Sequence, residues 1–105
     1  MKNIIFTIET SYSTEKYFLT VDESESITLQ IWDAMAKICF CDAFEIVSWE
    51  EVSEEYVTER NSLISEYEAK YEPVEEAFCS GFMVTLGALK RDIEWRKREI
   101  KPTFY

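Results

Sequence analysis

The chain has 105 residues, the length of one domain over 1–105, and is 47% hydrophobic and 15% aromatic, enough to build a core without disulfide or metal staples. It carries 21 acidic and 11 basic residues, a formal charge of −10, and no histidine. These figures exclude a disordered acidic tail, which would lack the aromatics and branched aliphatics. They also speak against direct binding of duplex nucleic acid, whose phosphates need Lys and Arg to neutralise them.

Ile4, Phe6 and Ile8 alternate with Ile5, Thr7 and Glu9, the period of a half-buried strand. After the polar stretch Thr10–Thr14, the run from Lys16 to Val21 reads as a second strand, the hairpin partner of the first. Asp22 with Glu25 is a capping-box pattern opening a helix whose apolar face is Ile27, Ile31, Met35 and Ile38. Ala43–Val47 is a short third strand.

Ser48 with Glu51 is a second capping box, and it predicts a helix over Glu50–Tyr71. On a helical wheel Val52, Tyr56, Val57, Leu63, Ile64 and Tyr67 share one arc, and the glutamates fill the other. Pro73 at a first helical position predicts a last helix from about Val74 to Ile100. Phe78, Phe82, Leu86, Leu89, Ile93 and Ile100 form its main stripe, and Ala77, Val84, Ala88 and Trp95 a second apolar line. Gly81 and Gly87 bracket residues 82–86, which read alternatively as a strand. The predicted class is therefore α+β: a small antiparallel sheet of about three strands packed against three helices, the last two long.

Cys39, Cys41 and Cys79 are an odd number, which argues against a secreted disulfide framework and for small buried hydrophobes in a reducing cytoplasm. A metal site built on them would lack a second close Cys pair and any His, so none is expected. The N-terminus turns acidic too soon for a signal peptide, and the longest apolar stretch, around Phe82–Leu89, is too short to span a bilayer. A soluble cytoplasmic protein without membrane contact is expected.

The charge is uneven. Residues 42–76 hold twelve acids against Arg60 and Lys70, whereas residues 77–105 hold six bases against three acids. Read on one helix, Glu50, Glu51, Glu54, Glu55, Glu59, Glu66 and Glu68 form a face almost without Lys or Arg. Like charges four residues apart, as at Glu51/Glu55 and Glu55/Glu59, cost a few tenths of a kcal/mol each. The plain reading is a solvated face that keeps the protein soluble; the functional one is a surface that steers toward a basic cleft. Arg60 falls inside the apolar arc, either as a snorkelling side chain capped by a carboxylate or as an ion pair that orients a partner. The basic end, Lys90–Lys101, suits a helix C-terminus, pairs with the acidic helix within the chain or across a dimer, or contacts nucleic acid, which the overall negative field argues against. The tail Pro102–Tyr105 folds back on the core or docks elsewhere.

No catalytic residues and no cofactor emerge. Histidine, the usual acid–base group, is missing, and no nucleophile elbow, phosphate-cradling glycine loop or metalloprotease motif is present.

Two readings follow. In the first, the acidic face with Trp49 as anchor occupies the groove of a basic nucleic-acid-binding protein as a nucleic-acid mimic. In size, charge and lack of catalytic motifs the chain resembles, in kind only, the small acidic inhibitors with which phages and mobile elements disable restriction enzymes or CRISPR effectors. It shares no quotable sequence motif with them. In the second, the chain is a structural or adaptor module that homodimerises through the C-terminal helix, with Val84, Ala88 and Trp95 as the seam. Burial of that line by the chain itself would remove the seam.

Overall fold

The structure, a computed structural model, describes residues 1–38, 40, 42–78 and 80–99. The three cysteines and the C-terminal tail, with the expectations attached to them, lie outside the described residues.

Strand β1 (Lys2–Thr10) forms a hairpin with β2 (Thr14–Val21). Its turn is closed by Thr10 N–H to Ser13 O at 2.8 Å and Ser13 N–H to Thr10 Oγ1 at 3.0 Å. The chain then leaves the sheet through α1 (Ile27–Lys37) and returns as β3 (Phe44–Glu51) on the other side of β1. The sheet is antiparallel with order β2-β1-β3, so β3 is an edge strand. Helix α2 (Glu54–Lys70) follows, then the single turn α3 (Val74–Ala77), a 3-10 turn (Gly81–Met83) and α4 (Leu86–Glu99). The protein is α+β, and the described residues form a three-stranded antiparallel sheet with three helices longer than a single turn.

The period-two pattern works as expected, since Ile4, Phe6 and Ile8 are all fully buried on one face of β1. They form one core with Ile31 and Met35 of α1 and with Met83. On the other face Phe18 packs against α2, its ring 6.2 Å from that of Tyr56. A second core joins Tyr67 of α2 to Val74, Val84 and Leu89.

Three boundaries differ from expectation, each for a physical reason. The cap of α1 is Ser26, which accepts from Leu29 N–H at 3.3 Å. Asp22 instead closes a turn by accepting from the N–H and the hydroxyl of Ser24. Ser48 and Glu51 do not cap α2; both lie in β3, paired with Thr7 and Ile4 of β1. The working cap is Ser53, which accepts from Tyr56 N–H at 3.2 Å.

The long last helix is interrupted. Phe78 is extended, and Gly81 returns so close to α3 that a β-carbon there would lie 2.6 Å from Glu75 Cα. The carbonyls of Phe82 and Val84, which a continuous helix would bond internally, accept instead from Arg60. Residues 82–86 are consequently neither a continuous helix nor a strand. Helix α4 restarts under a side-chain cap, with Thr85 Oγ1 accepting from Ala88 N–H at 3.2 Å.

Candidate functional site: the junction of β3 and α2

Strand β3 ends at Glu51 and α2 begins at Glu54, so the candidate acidic residues stand on two elements. Trp49, Glu50 and Glu51 belong to the edge strand, where they pair with Phe6, Ile5 and Ile4 of β1. Glu54, Glu55, Glu59, Glu66 and Glu68 belong to the helix. At 1.5 Å per residue the 17 residues of α2 span about 26 Å, which puts its five carboxylates about 5 Å apart along the axis. Glu51 and Glu55 are therefore not helical neighbours, and the repulsion expected between them has no geometric basis.

The carboxylates divide sharply by what they touch. Glu59 Oε2 meets Lys90 Nζ at 3.0 Å, and Glu66 Oε1 meets Lys70 Nζ at 3.1 Å. Glu68 accepts from Val74 N–H at 2.9 Å, so it positions α3. Glu51 lies 3.7 Å from Lys2, whose ammonium also sits 5.9 Å from the centroid of Trp49. Glu50, Glu54 and Glu55 have no ion pair or side-chain hydrogen bond among the described residues, and all three are exposed. The latter two occupy the first turn of α2, where the helix dipole stabilises negative charge. That dipole accounts for two adjacent acids without a basic partner. Trp49 is 41% exposed on the same strand. The unneutralised part of the predicted face is thus a compact junction, not a whole helix.

The basic end of α4 supplies much of the neutralisation. Lys90 reaches Glu59, and Arg96 reaches Glu72 at 3.6 Å and Asp92 at 2.8 Å. Pairing between the acidic and basic segments therefore occurs within one chain. Tyr67, fully buried, donates to the same Asp92 oxygen at 2.5 Å. Burial first, and then this hydrogen bond, push the Tyr67 phenol up to about 12.

Arg60 fits neither sequence-based expectation. It is buried, it has no carboxylate partner among the described residues, and its Nε and Nη2 donate to Val84 O at 2.6 Å and Phe82 O at 3.0 Å. Its guanidinium carbon lies 4.0 Å from the centroid of Phe18. Burial pulls its pKa below the usual value. Arg60 is a structural clip between α2, the sheet and the 3-10 segment.

The proposed dimer seam is broken up. Val84 is buried within its own chain, Ala88 is half-buried beside the second core, and Trp95 alone is well exposed. Val84 is covered because its carbonyl must meet Arg60, which draws residues 82–84 onto α2.

Sequence reasoning missed a second exposed apolar pair. Leu29 and Trp32 of α1 lie off the buried stripe of that helix, three residues apart, and Trp32 packs on Phe44 of β3 with ring centroids 4.3 Å apart. The signal was present, because both fall outside the Ile27/Ile31/Met35 line.

Among the described residues no group of three or more Cys, Asp or Glu side chains is arranged to hold a metal ion, and no helix is long and apolar enough to cross a membrane. No family model, no curated protein and no solved structure matches the chain.

Proposed function

We propose that this is a non-catalytic, cytoplasmic inhibitor that binds a basic nucleic-acid-binding protein and competes with its nucleic acid, as mobile-element inhibitors of CRISPR or restriction effectors do. The observation that supports it is the junction itself: Glu50, Glu54 and Glu55 are exposed and have no ion pair among the described residues, while Glu59 and Glu66 farther along α2 are neutralised, and Trp49 is exposed on the other face of the same strand. Unpaired charge supplies electrostatic steering, and an exposed tryptophan on the same edge strand supplies an anchor. The partner surface would be a patch that matches a few phosphates, smaller than a groove holding a long duplex.

The test is capture from host lysate at about 0.1 M and about 0.5 M salt, where the Debye length falls from about 10 Å to under half of that. It is followed by competition between the purified target's nucleic acid and the protein. The expected result is a basic nucleic-acid-binding protein captured at low salt, released at high salt, and lost with the triple variant Glu50→Lys, Glu54→Lys, Glu55→Lys. Recovery of the protein alone at both salts would overturn the reading.

A further inference from the structure

The edge of β3 offers a second kind of contact. Val52 N–H donates to Asn3 O at 2.9 Å, and the register pairs Glu50 with Ile5 and Trp49 with Phe6. Antiparallel pairs alternate between hydrogen-bonded and non-bonded, so Glu50 bonds β1 while Trp49 and Glu51 turn their N–H and C=O away from it, to a side where no described residue pairs with them. The two faces of this edge differ in chemistry. Phe44, Ile46 and Trp49 stand on the face covered by α1, with Glu51 at its end near Lys2, and the exposed Trp32 and Leu29 extend the apolar surface. Glu45 and Glu50 stand on the opposite face, both exposed.

From this juxtaposition we infer that the open edge of β3 is a strand-addition site for an extended segment of a partner protein in which basic and apolar side chains alternate. Basic residues would meet Glu45 and Glu50, and apolar ones would lie beside Ile46 and Trp49, because side chains alternate across a strand. A second copy of the chain is the wrong occupant. Antiparallel pairing of β3 with itself about Val47 and Ser48 sets Glu45 opposite Glu50 twice, and directly opposed like charges are destabilising. The unpaired Val47 at the bulge and the edge glutamates are devices that block self-pairing. They discriminate against an acidic strand and favour a basic one. The inference deepens the function proposed above and rests on it for the basic character of the partner.

The experiment uses two peptides of about eight residues, one alternating Lys and Val and one with the same residues in two blocks, added to the full chain while amide exchange is followed by NMR. The alternating peptide is expected to slow exchange at Trp49 and Glu51 about tenfold or more, and the blocked peptide to leave both unchanged. The variant Glu45→Lys, Glu50→Lys, checked for an unchanged circular dichroism spectrum, should lose the Lys–Val peptide and accept an alternating Glu–Val one. Equal effects of both peptides, no slowing at Trp49 and Glu51, or protection of these amides through dimerisation without peptide would each overturn the inference. The variant Glu54→Lys, Glu55→Lys separates the two proposals, since it should abolish target capture and leave peptide addition at β3 intact.

Discussion

Arg60 carries more structural consequence than any other charged side chain here. It donates to two backbone carbonyls that have left helical geometry and lies against Phe18. Charge-assisted hydrogen bonds contribute roughly 1.5–3 kcal/mol each, and orphaning the buried carbonyls adds to the loss. Arg60→Ala should therefore lower unfolding stability by about 3 kcal/mol, with Arg60→Lys recovering less than half because it lacks the planar fork. Urea titration of the three proteins checks this. Tyr67 is the second residue with a measurable signature. Its folded pKa is raised to about 12, above the ordinary phenol value of about 10. The folded state thus holds a proton that the unfolded chain has released, and stability is intact below pH 10 and falls as pH rises toward about 12. The slope from this group approaches about 1.4 kcal/mol per pH unit within that window. Tyr67→Phe should flatten the high-pH decline in thermal midpoint, and an unchanged decline would rule Tyr67 out as its source.

At the scale of elements, the interruption between α3 and α4 is built on one glycine. A methyl at Gly81 meets backbone of α3, whereas nothing lies within 4 Å of a methyl at Gly87 in the first turn of α4. Gly81→Ala should destabilise, by about 1–3 kcal/mol on the scale of core overpacking. Gly87→Ala should stabilise by about 0.5–1 kcal/mol through helix propensity and reduced unfolded-state entropy. Opposite shifts in thermal midpoint for the two variants are the readout. The same scale shows how much of the candidate site could be read in advance. The acids of α2 were found, and so was its apolar arc of Tyr56, Leu63, Ile64 and Tyr67, because a period of 3.6 is a local property. The placement of Trp49, Glu50 and Glu51 was not found. Ser48-x-x-Glu51 carries the residues of a capping box, yet pairing with β1 outweighs that weak local preference and extends the strand to Glu51.

Taken whole, the molecule measures 55 × 32 × 19 Å with a radius of gyration of 15.3 Å, larger than the roughly 13 Å of a spherical domain of this length. The interior is divided between two cores: one under α1 and the sheet, the other between α2 and α4. Ion pairs join α2 to α4, while Glu50, Glu54 and Glu55 at the β3–α2 junction and Glu75 and Glu76 of α3 have no ion pair among the described residues. With a net charge of −10, self-repulsion outweighs these exposed pairs, which are individually worth little. The thermal midpoint should therefore rise when salt increases from about 0.01 M to about 0.1 M and the Debye length shrinks from about 30 Å to about 10 Å. A falling midpoint would mean that the ion pairs dominate.

The α+β class, the hairpin of β1 with β2, the buried face of β1, the apolar arc of α2 and the concentration of acid in residues 42–76 were all determined by the sequence alone. Each rests on a short-range period or on a count, so neighbours within a few residues suffice to reveal it. Tertiary structure decided which carboxylates remain free, because Lys90 lies 31 positions from its partner Glu59. It also decided that Arg60 has carbonyl partners instead of a carboxylate, that the last helix breaks, and that Glu45 and Glu50 line an open sheet edge. These outcomes depend on strand register and on groups distant in the chain, and no local pattern encodes either.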